Sequence, residues 1–387
     1  MVNNFGLKAQ TYNEILGQDD LNAITTAVPF LLIAPDSRAG AMGDAGVSSS
    51  PDVNSQHWNA SKYAFIEDKL GFSLSYSPWL RSLVPDMSLA YLSGYYKIND
   101  MSAISGSLRY FSLGDITFTD KFGESQGTYQ PNEFAIDFAY SRKLGKNFSG
   151  SVSLRYINSN LTLGQEVNNQ GTQVGQAIAT DVGVFYTKDV KIKDVKGNVS
   201  FGASISNIGN KISYSETLET NFLPMNFRFG PSYKVILDKY NSITVTVDIN
   251  KLLVPTPPIY AVDSAGNYIP EGDSYKIEMG MDPNRSVGNS IFTSWYDAPY
   301  GFKEEMREFN IASGLEYAYD EKFFVRGGYF YEHATKGNRK YITLGAGFKY
   351  NVLTIDASYL VSVAQNNPMG NTLRFSLLFN FAETEKQ

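Results

Sequence analysis

Two histidines, His57 and His333, are the chain's whole stock of imidazoles in 387 residues, and cysteine is absent. A serine nucleophile needs a base beside it, and neither a Gly-x-Ser-x-Gly elbow nor a His-Glu-x-x-His zinc pair occurs. His57 precedes Trp58 and reads as a packing or hydrogen-bonding residue, His333 as an exposed loop residue. Asp263, Asn267, Glu271 and Asp273 offer calcium-type oxygens. Their spacing misses the EF-hand pattern, and Gly266, Pro270 and Gly272 among them mark turns. Gly345-Ala346-Gly347 opens no helix and is strand glycine rather than a phosphate loop. These residues call for no enzyme, no metal and no cofactor. Net charge is −6, which leaves no basic footprint for nucleic acid.

The elements that carry these residues are strands. From Thr372 to Phe381, Leu373, Phe375, Leu377, Phe379 and Phe381 point one way, and Arg374, Ser376 and Asn380 the other, with Leu378 as the exception. Ten residues tilted about 45° cover about 24 Å, the height of an outer-membrane barrel's apolar band. Similar alternation runs from Leu70 onward. Its second segment is expected to present Met87, Leu89, Tyr91 and Tyr95 on its apolar face, and its eighth Met225, Phe227, Phe229 and Tyr233. About fourteen strands are expected, an even number as in bacterial barrels. Open edges are not tolerated in lipid, so the last strand must pair with the first.

The opposite faces carry Arg109, Asp137, Arg155, Asp181, Arg228, Asp248 and Arg374, expected to pair across a lumen. Tyrosines near strand ends fit interfacial girdles. There are 26 Tyr, 25 Phe and 33 Gly, and no apolar run reaches the length of a transmembrane helix. The fold class expected is therefore an all-β transmembrane antiparallel barrel over 67–387, rather than a soluble sheet protein. Short links alternate with long ones, 188–197 being an oversized short one. With short turns periplasmic and long loops extracellular, both termini fall in the periplasm of the outer membrane.

Residues 1–66 lack sustained alternation. A short helix is expected within Tyr12–Thr26, and the rest reads as an irregular plug inside the barrel, the alternative being a ligand gate. Its marked residues are Asp36, Arg38, Gly40, Gly43, Asp44, His57, Trp58 and Asn59. Met1–Gln10 is not a signal peptide, so the chain is expected to be a mature or re-started form.

The segment 251–308 is far longer than a connector needs to be. It opens on Leu252, Leu253, Val254, Pro255, Pro257, Pro258, Ile259 and Tyr260 and closes on Ile291, Phe292, Trp295, Tyr296, Pro299, Tyr300 and Phe302. Such proline-stiffened aromatic stretches mark contact surfaces. The segment reads either as a partner-binding loop or as a lid over the barrel mouth.

The runs Pro35-Asp-Ser-Arg-Ala-Gly-Ala-Met-Gly-Asp-Ala-Gly46 and Ser55-Gln-His-Trp-Asn-Ala-Ser-Lys-Tyr-Ala-Phe65 closely resemble the N-terminal signature of the PorV (LptO) family. Lys251-Leu-Leu-Val-Pro-Thr-Pro-Pro258 and Ser294-Trp-Tyr-Asp-Ala-Pro-Tyr-Gly-Phe302 look like the same family. Members commonly carry proline where this chain has Ala60, in Asn59-Ala-Ser-Lys62. The family supplies an outer-membrane barrel of the type IX secretion system of Bacteroidetes and is more distantly similar to FadL-type transporters, fourteen-stranded and plugged. The resemblance implies binding to outer-membrane lipid and to the large translocon barrel (SprA or Sov). It also implies receipt of cargo through its C-terminal signal domain, and transfer to the attachment complex containing PorU. A FadL-like channel for hydrophobic small molecules and a lipid A deacylase are the other readings it allows.

Overall fold

The alternation from Leu70 onward resolves into fourteen strands that close on themselves. The computed structural model describes residues 21–382 apart from 82–83, 85, 120–121, 162–170, 193, 216–219, 273 and 364–369. The strands are β1 (Leu70–Pro78), β2 (Ser88–Asn99), β3 (Ser102–Ser112), β4 (Asn132–Lys143), β5 (Phe148–Asn160), β6 (Gly175–Ile192) and β7 (Val195–Gly209). They continue as β8 (Asn226–Ile236), β9 (Asn241–Leu252), β10 (Asn310–Tyr319), β11 (Phe323–Tyr331), β12 (Lys340–Tyr350), β13 (Leu353–Ser362) and β14 (Thr372–Phe381). Neighbours are antiparallel, and β14 pairs with β1 from Leu70↔Phe381 to Tyr76↔Phe375, so no edge is left open.

The two faces of the wall differ as lipid demands. Phe375 and Leu377 of β14 are exposed, while Arg374 and Ser376 between them are buried. The same holds for Ile104 and Leu108 against Ser105, Ser107 and Arg109 on β3. An apolar belt around a whole molecule, with polar rows inside, is unstable in water and stable in a bilayer. Leu378, the odd residue of β14, packs inward beside Tyr63 and Tyr95.

Three sequence expectations are corrected. On β2 the faces are reversed: Leu89, Tyr91 and Tyr95 point inward, and Leu92, Tyr96 and Ile98 meet lipid. Both parities of this strand are apolar, and the interior beside it is apolar too, because Phe30 and Leu31 pack against Leu89 and Phe111. Met225 likewise lies buried beside Leu253 and Val254, outside β8. Residues 188–197 are mostly strand rather than loop, since β6 and β7 run to Ile192 and from Val195, well past the 9–11 residues a membrane strand needs. The helix expected within Tyr12–Thr26 falls largely outside the described residues, and 21–26 carry no helix.

Residues 27–66 run against the inward faces through short turns of helix, Pro29–Leu32, Ser37–Gly40, Ser55–Trp58 and Ala60–Phe65. Wall side chains satisfy their backbone. Asp248 accepts from the Gly46 and Val47 N–H groups (2.7 and 2.9 Å). Thr343 accepts from the Gly43 N–H (2.8 Å) and donates to the Ala41 carbonyl (2.9 Å). Wall glycines leave the room: a Cβ on Gly328 would overlap the backbone of Met42 and Gly43, and one on Gly314 would overlap Met42. Gly43 itself needs its positive φ of 68°. Gly328→Val is therefore expected to destabilise the barrel by roughly 1–3 kcal/mol, because no rotamer relieves a clash with backbone. The check is the unfolding midpoint in detergent against Gly327→Val, whose Cβ has no contact nearer than 3.8 Å.

Candidate partner-binding site

Inside the wall, the charges expected to face one another across a lumen pair instead with adjacent strands and with the N-terminal segment. Arg155 donates to Asp137 (2.5 Å) and Asp181 (2.9 Å). Arg228 donates to Asn250 (2.7 Å) and lies over the Trp58 ring. Arg374 faces Asp44 at 3.4 Å, and Tyr341 donates to Asp44 at 2.6 Å. Among the described residues no carboxylate pairs with Arg109; it donates to the Leu31 carbonyl (2.7 Å) and lies 2.6 Å from His57 Nδ1. Arg38 spans Asp52 and Glu316, and Arg326 joins Glu316 to Asp356.

The quoted N-terminal motifs thereby acquire physical roles. Asp36 accepts from Trp58 Nε1 (2.6 Å) and from the Ala39 N–H (2.9 Å), tying the two motifs together. Asn59 caps the turn after Trp58 and donates to the Val184 carbonyl of the wall (2.9 Å). Gly40 lies under Arg374, where a Cβ would meet its guanidinium. His333 accepts from the Thr335 N–H (3.2 Å) and caps a turn. Cavities beside Trp58 measure about 50 and 10 Å³, the smaller no roomier than a single water needs.

The outer segment 251–308 is built differently. It holds hairpins at Ile259–Tyr260/Ile277–Met279 and Pro270–Glu271/Ser274–Tyr275, then helices Val287–Thr293 and Phe302–Arg307. Asp263, considered for calcium, accepts the Ala265 and Asn267 N–H groups in a turn. These bonds hold its carboxyl below the usual range. Asp273 lies outside the described residues.

A buried ionic cage holds the segment to the barrel. Lys251, fully buried, donates to Glu305 (3.0 Å) and Glu308 (2.6 Å). Lys336 donates to Glu304 (2.6 Å) and Glu308 (2.9 Å), and Arg285 to Asp297 (2.9 Å). Asn22 adds the N-terminal segment by donating to Glu304 (2.9 Å) and to the Pro257 carbonyl (3.1 Å). Burial pushes the Asp297 carboxyl up. Burial would do the same to Glu304, but bonds from Lys336 and the Tyr300 N–H outweigh it and hold that carboxyl below the usual range. Asp297, Glu305 and Glu308 converge closely enough to ligate a cation, but the Lys251 ammonium already bridges the two glutamates, and Glu308 takes Lys336 as well.

Above the cage the aromatic residues divide. Phe292 (72% exposed) and Phe302 (77%) stand out from the two helices, and Tyr296 and Tyr300 from the link between them. Trp295 is half-exposed and wedged against Phe227 and Phe309, its Nε1 donating to the Ile291 carbonyl. Leu253 and Val254, expected on the contact surface, are buried against Met225, so they offer nothing to a partner. Leu252, Pro255, Pro258, Ile259, Tyr260 and Ile291 are half-buried. The sequence reading missed Tyr268 and Tyr275, which cluster with Tyr260 at 5.3–5.9 Å and are exposed. Their position either side of the Glu271-Gly272 turn is the signal that would have found them.

A closed barrel with an apolar outer belt and polar rows inside, packed against residues 27–66, defines an outer-membrane β-barrel protein. A family model for the type IX secretion system protein PorV matches residues 16–259, and the chain belongs to that family. A search of curated proteins gives no match. Among solved structures, the toluene transporter TodX of Pseudomonas putida is 10% identical, covering 94% of this chain and 100% of its own, at a TM-score of 0.49. A FadL homologue of Pseudomonas aeruginosa is 11% identical over 93% and 100% at 0.45, and the monoaromatic hydrocarbon channel CymD 11% over 91% and 99% at 0.48. What those channels conduct does not carry over at this distance.

Proposed function

We propose that this type IX secretion protein is a non-enzymatic docking component. The 251–308 rim grips the translocon barrel and the C-terminal signal domains of cargo, and the protein passes that cargo to the attachment complex with PorU. Residues 1–66 act as the plug and 67–387 as the barrel, with both termini in the periplasm and the long loops outside. The observation that carries this reading is the exposed aromatic set of Phe292, Tyr296, Tyr300 and Phe302 on a scaffold made rigid by buried ion pairs. Aromatic anchors already ordered before binding lose little entropy on contact. A channel reading is weaker, because the bore beside Trp58 is filled. A hydrolase reading is weaker too, since His57 and His333 are engaged by Arg109 and by a turn.

The test is Phe292→Ser with Tyr296→Ser and Phe302→Ser, followed by co-purification with the translocon from cells. The triple variant should fold and lose at least about a hundredfold in capture, as expected for two or more hot-spot anchors. Undiminished capture would refute the rim as the docking surface.

A further inference from the structure

One feature of the outer wall belongs neither to the plug nor to the rim. Phe72, Gly94, Gly106 and Phe138 lie in one lateral row across β1 to β4, paired Phe72↔Gly94, Gly94↔Gly106 and Gly106↔Phe138. All four face outward, so two adjacent strands lack a side chain at this one level, between Leu92 and Leu108 on one side and Tyr96 and Ile104 on the other. Phe72 stacks on Phe379 at 4.8 Å, and Phe138 stands free at 68% exposure, so the two rings wall a trough floored by glycine backbone. The trough is an open groove of about 810 Å³, within the roughly 300–1,000 Å³ of ligand pockets. Its lining is mostly apolar. Tyr96 and Tyr140 flank its end nearest the short turns. Beyond them come two cations. Arg142 is exposed on the same face two residues past Tyr140, and the Lys69 ammonium lies 5.6 Å from the Tyr96 ring centre. From Phe138 to Arg142 the strand rises about 13 Å.

We propose that this groove is a specific site for an anionic glycerophospholipid. One acyl chain lies over Gly94 and Gly106 between the phenylalanine rings, and the phosphate meets Arg142 and Lys69 at the interface. The argument is complementarity of shape and charge together. A glycine-floored gap between two phenylalanine rings, bounded toward the interface by Tyr96, Ile104 and Tyr140 with two cations beyond, matches a flexible chain with an anion at its end. Tyrosine and cationic side chains at that depth are the ordinary partners of headgroups. The inference rests on the outer-membrane reading of the wall and is independent of the aromatic rim.

The experiment uses the full chain reconstituted in vesicles of phosphatidylethanolamine and phosphatidylglycerol, extracted in mild detergent and weighed by native mass spectrometry. The unaltered protein should retain one phosphatidylglycerol. Gly94→Leu with Gly106→Leu fills the groove with side chains the lipid face accepts. Retention should then fall about tenfold or more, the equivalent of roughly two buried methylenes. Arg142→Gln with Lys69→Gln leaves the groove intact and should abolish the preference for phosphatidylglycerol over phosphatidylethanolamine. Absence of a retained phospholipid on the unaltered protein would overturn the proposal. So would retention indifferent to both pairs of substitutions, or occupation of the groove by a second barrel. Translocon capture by the rim should be unaffected by either pair, so this inference can fail while the docking reading stands.

Discussion

Glu316→Leu is expected to destabilise the barrel by about 3–5 kcal/mol, the usual cost of removing one partner from a buried ionic group. Glu316 is buried on β10 and takes Arg38 at 3.0 Å on one side and Arg326 at 2.7 Å on the other. Its loss leaves two guanidinium groups side by side in the interior with no anion between them. Arg326 keeps Asp356 and Arg38 keeps Asp52, so the cluster is neutral without Glu316, and the cost lies in the bonds both guanidiniums lose and in their mutual repulsion. The damage should centre on the N-terminal segment, because Arg38 ties it to β10. The measurement is the unfolding midpoint in detergent together with proteolysis of residues 36–52 inside the folded barrel. Arg38→Met added to Glu316→Leu removes one of the two facing guanidiniums, so the double variant should lose less than the sum of the singles. Strict additivity would mean that the bridge is incidental and that the segment is held by backbone bonds such as Gly46 to Asp248.

Much of this architecture is legible in the strand pattern. β14 alternates almost perfectly, and from it follow lipid outside, polar interior and closure onto a first strand, while the strand number comes from the repeated alternation upstream. β2 was misread because Tyr95 and Tyr96 are adjacent and Leu89 and Leu92 fall on opposite parities, so periodicity cannot choose a face. The choice is made by Phe30, Leu31 and Tyr63, residues of another segment that need apolar neighbours inside the barrel. The β6–β7 hairpin was hidden because its outer half carries Lys188, Asp189 and Lys191, charges that resemble a loop once a strand leaves the membrane. The rim aromatics could be named from sequence because they are dense. The cage beneath them could not: Lys251, Glu305, Glu308 and Lys336 are far apart in the chain or sit in a charge run that looks solvated, and only folding brings them together.

That cage makes the second large effect. Lys251→Met should free the rim while leaving the barrel closed. Lys251 is the countercharge to both Glu305 and Glu308, and methionine fills its volume without its charge. Two carboxylates would then share a dry site with Lys336 as their remaining nearby cation, and an uncompensated buried charge costs about 3–5 kcal/mol. The cheapest relief is local: residues 285–308 lift away and rehydrate. Protease should therefore cut that stretch at neutral pH in the variant and not in the unaltered protein, and translocon capture should fall although Phe292, Tyr296 and Phe302 are untouched. Acid should reach the same state by another route. The Glu304 carboxyl is held below its usual range by Lys336, so its contribution is complete above the ordinary glutamate pKa of about 4.3 and is lost as pH falls through the lower folded value. An acid-active protease should accordingly cut the unaltered rim only below about pH 4, whereas Lys251→Met is already open at neutrality. A rim equally protected in both proteins across that range would show that the hairpins and Trp295 packing hold it without the ions, and would remove the ground for calling the aromatic surface preorganised by charge.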